Sequence, residues 1–387
     1  MAVSRGLSGE EYTLLTAFMG VLVIISLPLS TLSNGFSHHT SLLVQSGRTG
    51  DVRRLLTKWL LLAGIPSVLS GGIAIIWNAP LAALLHLDRA EPVIIVGAAL
   101  PALFWLAVLV GAGQGLQLFG WCSSATIGGA LVRLGLGAGF VWFVYPACGW
   151  AMLGHSLGIY TAAFVLLPGL WQVLRPSRST GQRLPSMRFY LLQCVFIQSA
   201  YAILMNADVI LVKHFLPDDT DFAYAATLGR LVAFLPGAIV MAMFPKVASY
   251  GAGNTDQHRI FLKAFWGTAL MVMVSILGCV LFPRLFLRII YGMKTPSDTL
   301  IQMVAALALV MGFSAMLNVV LQYLLAQRRF RIGWIPVICA GAYIGGVVWR
   351  HTSSWDIMVA AGVGNLIAVV ACLIVACQRP PSEIRPA

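Results

Sequence analysis

The sequence predicts an all-α, polytopic membrane protein of eleven transmembrane helices, and three observations carry that reading. Hydrophobic residues make up 59% of the chain and charged residues only 10%, against about 25% charged in soluble domains. A helix needs ~20 apolar residues to cross ~30 Å of hydrocarbon. Eleven nearly charge-free stretches of about that length occur, at roughly 12–34, 57–83, 92–119, 121–145, 150–173, 189–216, 221–245, 260–289, 299–326, 332–349 and 355–377. Lys and Arg, finally, collect in every second connecting loop. A buried soluble core does not account for so many runs of this kind.

The first stretch, Tyr12 to Ser33, follows a short lead with Arg5 and the acidic pair Glu10-Glu11. A cleaved signal peptide has a basic lead and a shorter apolar core, so this stretch reads as a retained helix. Loop 35–58 holds Arg48, Arg53, Arg54 and Lys58, and loop 174–188 holds Arg175, Arg178, Arg183 and Arg188 with no acid. Loop 246–263 adds Lys246, Arg259 and Lys263, loop 327–331 adds Arg328, Arg329 and Arg331, and the tail adds Arg379 and Arg385. The intervening loops carry Arg89, Lys294 or Arg350 singly, or the cluster Asp218, Asp219 and Asp221. By the positive-inside rule the basic set is cytoplasmic. The C-terminus is then inside and, after an odd number of spans, the N-terminus is outside. These loops account for the net charge of +12, so the excess is a topology signal and no nucleic-acid partner is implied.

An internal repeat runs through the chain. Pro28 lies mid-span, with Phe36 eight residues later, then a basic loop and a span closing at Trp77-Asn78-Ala79-Pro80-Leu81. Pro236 lies mid-span, with Phe244 eight residues later, then a basic loop and a span closing at Leu281-Phe282-Pro283-Arg284-Leu285. The third span ends near Phe119 and Trp121, the ninth near Phe330 and Trp334, and the offset stays near 208 residues. Both copies begin on the same side, as parallel repeats about an axis along the membrane normal do. On this offset the counterpart of span 189–216 falls before Met1. The expectation is a twelve-helix, six-plus-six arrangement lacking its first helix, with the helix either absent or encoded upstream of the given start. The lobes are 1–174 with five helices and 189–387 with six, joined by a basic cytoplasmic linker at 175–188.

The most distinctive stretch runs from Asn206 to Ser249. It contains ADVILV (Ala207–Val212), the acidic turn Asp218-Asp219-Thr220-Asp221, YAATLGR (Tyr224–Arg230), Pro236-Gly237 and Phe244-Pro245-Lys246. That order of features resembles the polysaccharide-transport branch of the MOP exporter superfamily, well over 188–332 and more loosely elsewhere. The resemblance implies a MOP-type fold and a flippase for an undecaprenyl-diphosphate-linked oligosaccharide in the bacterial inner membrane. Such a protein works by alternating access and serves O-antigen, capsule or exopolysaccharide assembly. Its partners are the lipid-linked oligosaccharide, membrane lipids and a polysaccharide polymerase complex.

Charges inside a membrane are costly and point to a pathway by default. Arg133 lies about midway along span four, in a lobe whose spans hold no Asp or Glu. It reads either as a contact for an anionic substrate or as a snorkelled, carbonyl-bonded side chain. Asp208 and Arg230, on consecutive antiparallel spans, reach similar depths at 1.5 Å per residue. They read as a structural ion pair or as substrate contacts. Arg284 and Arg288, at i and i+4 near the outer end of span eight, share a helix face and suit headgroup contact or ligand binding. Pro28 and Pro236 each remove a backbone hydrogen bond and favour a kink, so they are candidate hinges or static bends.

Nothing positive supports an enzyme. No G-x-x-x-x-G-K-[ST], H-E-x-x-H or G-x-S-x-G occurs, and no cofactor is implied. The seven cysteines show no CxxC or ligand spacing and read as free, apolar residues. Two rivals to the flippase remain. One is a cation-coupled multidrug antiporter of the same superfamily, which needs intramembrane carboxylates; Asp208 is the one acid well inside a span. The other is a non-transporting scaffold of a polysaccharide assembly complex.

Overall fold

The computed structural model describes residues 2–84, 87, 89–175, 188–237, 239, 240, 243, 247, 255–327 and 329–378. The described chain is helical throughout. Its elements are α1 (Ala2–Gly6), α2 (Gly9–Gln45), α3 (Thr49–Ile76), α4 (Asn78–Leu84), α5 (Glu91–Gly115), α6 (Phe119–Phe143) and α7 (Cys148–Leu174). There follow α8 (Arg188–Phe215), α9 (Thr220–Phe234), α10 (Thr255–Leu281), α11 (Pro283–Tyr291), α12 (Asp298–Ala326), a 3₁₀ turn at Phe330–Gly333, α13 (Trp334–Trp349) and α14 (Ser354–Cys377).

Nine of these helices, among the described residues, are long and apolar enough to cross a membrane. The chain is thus a multi-pass membrane protein. The other two expected spans are shorter as described. One is α13, with 16 residues. The other is α9, with 15 residues, whose continuation toward Phe244-Pro245-Lys246 lies partly outside the described residues. The linker expected at 175–188 lies outside them as well, apart from its two end residues.

Two expected spans prove to be a span followed by a short helix. α3 stops at Ile76, and the Asn78 side chain donates to the Ile75 carbonyl before α4 begins. α10 stops at Leu281, and Pro283 starts α11 at a position where its missing N–H costs nothing. The first span is longer than its apolar core. α2 runs 37 residues, about 55 Å at 1.5 Å per residue, and so absorbs residues 35–45 that hydropathy alone assigns to a loop.

Two compact units make up the chain, Met1–Val195 and Phe196–Ala387, divided within α8. In the first unit α5 is the hub, packing against α2, α3 and α7, while α6 packs on α7. Its core includes Phe36, Leu55, Leu56, Val108, Leu166 and Leu170. In the second unit α12 is the hub, packing against α9, α10 and α14, while α13 packs on α14. Each pairing in one unit therefore has a counterpart in the other, near the offset of the sequence repeat.

Long-range caps fix the helix ends. The Glu11 carboxylate accepts from the Cys148 backbone N–H at 2.5 Å, placing an anion at the N-terminus of α7, where the helix dipole favours one. Arg329 donates to the carbonyls of Val375 at 2.9 Å and Gln378 at 3.1 Å, placing a cation at the C-terminus of α14. Asp219 caps α9 through the Phe222 N–H, and Asp221 accepts from Ser297, so the acidic turn braces the second unit. No disulfide joins any of the seven cysteines among the described residues.

Candidate functional site

Three polar features stand in the apolar helices. The first is Arg133, near the middle of α6. The face of α6 that meets α7 carries small residues. A Cβ on Gly129 would lie 2.7 Å from the Gly158 carbonyl oxygen, and one on Gly158 would lie 2.5 Å from the Gly129 oxygen and 2.9 Å from the Arg133 Cβ. Backbones approach this closely only where side chains are absent. Gly158 thus leaves room for the base of Arg133, whose side chain emerges exposed beside the seam. Ser123, Thr126 and Ala130 precede it at helical spacing and are exposed too. Ion pairs among the described residues include Arg48–Asp51, Arg230–Asp208, Arg284–Asp298 and Arg350–Asp356. No carboxylate pairs with Arg133 among the described residues.

The second feature is a buried polar cluster in the second unit. Arg230, 9% exposed, and Asp208, 2% exposed, form an ion pair at 2.5 Å between Nη2 and Oδ1. Arg230 Nε also donates to Asn206 Oδ1 at 3.2 Å. The depth argument from the sequence therefore brings Asp208 and Arg230 together, and the geometry realises the ion-pair alternative. Among the described residues, neither the buried Asp208 Oδ2 nor the buried Tyr343 hydroxyl has a hydrogen-bond partner. Close by, Asn365 donates to the carbonyls of Leu204 at 3.0 Å and Ala361 at 2.9 Å and accepts from Ser314 at 2.8 Å. The segment Leu204–Asp208 of α8 is thus tied to α9 and α14, and through Asn365 to α12.

Sequence reasoning passed over Asn206, Ser314, Tyr343 and Asn365. Uncharged polar residues within apolar runs carry too little signal to single out. A usable hint was that Asn206 and Asn365 are amides within spans, where each needs a partner.

The third feature is α11, where Arg284 and Arg288 lie exposed on one face. Arg284 meets Asp298 at 3.5 Å, with side chains 73% and 87% exposed, a pair that contributes little. The two prolines differ in setting. Pro28 lies inside the unbroken α2, whereas α9 ends at Phe234 and Pro236 follows its cap, with its carbonyl accepting from Ile239 and Val240.

The sequence matches no protein-family model and no curated protein. Several solved structures share its fold. An inward-facing multidrug resistance MATE-family transporter of the MOP superfamily aligns with a TM-score of 0.74 at 13% identity, over 97% of this chain and 92% of that one. The lipid II flippase MurJ, in an inward closed conformation, aligns with a TM-score of 0.67 at 12% identity, over 98% and 84% respectively. A eukaryotic MATE transporter aligns with a TM-score of 0.60 at 15% identity, over 97% and 93%. The fold of this chain is therefore that of the MOP-type transporters, shared by multidrug carriers and a lipid flippase alike.

Proposed function

We propose that the chain is a flippase that moves a lipid-linked oligosaccharide carrying a diphosphate across the bacterial inner membrane by alternating access. The observation that carries this reading is the charge balance inside the spans. Asp208 is neutralised by Arg230, and Arg133 is left as a mid-span cation with no paired carboxylate among the described residues. A cation at the membrane centre costs ~2.5–3.5 kcal/mol on insertion scales, and an anionic substrate offsets that cost. A guanidinium suits phosphate oxygens because it binds them in bidentate fashion.

On this reading the N-terminal lobe 1–174 and the C-terminal lobe 189–387 are parallel repeats joined by the basic segment 175–188. Arg133 contacts the diphosphate, while Arg230 is engaged by Asp208. Pro28, within α2, and Pro236, just past α9, serve as the bending points of the lobes. O-antigen, capsule or exopolysaccharide assembly is the setting, with a polymerase complex as partner. The fold likeness to a lipid II flippase supports a lipid-borne substrate.

One observation favours the antiporter instead. Asp208 Oδ2 has no hydrogen-bond partner among the described residues, and an unmet carboxylate oxygen is where a cation would bind. Complementation of a flippase-null strain decides between them. Restored surface polysaccharide with unchanged drug susceptibility is expected. Altered drug susceptibility without restoration supports the antiporter, and neither effect supports the scaffold.

A further inference from the structure

An apolar groove of about 370 Å³ runs between α10 and α12 in the second unit. It is lined on α10 from Phe265 to Leu277 and on α12 from Leu309 to Met316. At 1.5 Å per residue the α10 wall is about 18 Å long, more than half the ~30 Å of hydrocarbon. An open recess lined by apolar side chains along membrane-spanning helices fits a hydrocarbon chain lying along the helix axes. Its floor is set by Gly312, where an added Cβ would come within 2.9 Å of both Val272 and Ile276. Small residues (Ala269, Gly312) alternate with bulky or adaptable ones such as Phe265 and Met273. Notches beside small residues leave room for methyl branches along a chain, and Met adapts to irregular shapes.

The head end of the groove carries charge. One residue beyond Leu277, the open side of Gly278 faces the Phe286 ring at 3.6 Å, so α11 folds back over the top of α10. Arg284 reaches Asp298 at the start of α12, so α11 adjoins both helices that wall the groove. Leu285 and Ile289 are exposed on the stripe beside Arg284 and Arg288. An apolar edge beside a basic edge is the pattern of a helix lying in the membrane interface, which puts both guanidinium groups at headgroup level.

We propose that this groove and the Arg284/Arg288 face form one binding site for a polyisoprenoid phosphate lipid, its chain between α10 and α12 and its phosphate on the two arginines. The site lies at the outer end of the spans by the loop-charge rule, so it holds the carrier lipid after translocation. The identity of the lipid rests on the flippase reading.

The test places a photocrosslinking benzoylphenylalanine at Met273 or, as control, at Ile338, which is 67% exposed on α13. The full chain in vesicles is offered radiolabelled polyprenyl phosphate, with phosphatidylglycerol as competitor. Capture at Met273 should exceed that at Ile338 about tenfold and survive the competitor. Arg284→Gln with Arg288→Gln should weaken capture by about tenfold to thirtyfold while leaving capture of uncharged polyprenol unchanged. Gly312→Leu should block both. Equal capture at Met273 and Ile338, or displacement by phosphatidylglycerol, would show an ordinary lipid surface and overturn the site. Selective capture without export in the null strain would keep the site and overturn the flippase reading. Export without selective capture would do the reverse.

Discussion

Removing one partner of the Asp208–Arg230 pair should destabilise the second unit far more than removing both. Arg230 is the side-chain donor to Asp208 Oδ1, and Oδ2 has no partner among the described residues. Arg230→Gln therefore strands a buried carboxylate, while Asp208→Asn leaves the guanidinium with Asn206 Oδ1 as a side-chain acceptor among the described residues. Breaking a buried pair from one side costs about 3–5 kcal/mol, whereas replacing both charges is often near neutral. For a unit of this size each kcal/mol moves Tm by about 2–4 °C, so each single variant should melt roughly 10 °C low. The double variant Asp208→Asn with Arg230→Gln should recover most of that loss, since the amides can bond each other and Asn206. The assay is the melting of detergent-purified protein, followed by size exclusion, with membrane abundance as a second readout. Additive losses in the double variant, with no coupling beyond about 0.5 kcal/mol, would refute the ion-pair argument.

Other outcomes follow from the same geometry. Gly158→Leu should force α6 from α7, because even a Cβ at that position meets the Gly129 carbonyl oxygen at 2.5 Å; loss of folded protein in membranes checks this, and normal yield would contradict it. Glu11→Gln removes the anion that receives the Cys148 N–H and should lower stability by about 0.5–1 kcal/mol, read as a small drop in Tm that vanishes at high salt. A topology reporter fused after Arg259 should register as cytoplasmic and one fused near Asp219 as external, by the Lys/Arg asymmetry; opposite signals would reverse the orientation.

Much of the helical architecture was legible because hydrocarbon imposes long apolar runs and loops collect the charge. The Asp208–Arg230 pair was legible too, since equal depth on consecutive helices is a matter of counting residues. The breaks before Asn78 and Pro283 were harder to see. Apolar composition continues through both, so hydropathy cannot separate a span from the short helix that follows it. The role of Glu11 depends on a partner 137 residues away, beyond any local pattern. The glycine seam of α6 and α7 hides for another reason. Glycine is common along the chain, and only the facing backbone shows which glycines must stay small. The α10–α12 groove is equally silent, because its lining residues are ordinary span residues whose shape appears only on packing.

The charge balance of the spans is tested most directly at Arg133. Purified protein in proteoliposomes is offered a fluorescent polyprenyl-diphosphate-linked sugar, and its transfer between leaflets is followed by quenching. Wild-type protein should translocate it. Arg133→Ala should fail while accumulating and melting normally, because no carboxylate pairs with this side chain among the described residues. Arg133→Lys should recover only part of the rate, since an ammonium cannot bind phosphate in bidentate fashion. Transfer by the Arg133→Ala protein at the wild-type rate would contradict the claim that an anionic substrate meets a cation midway along α6.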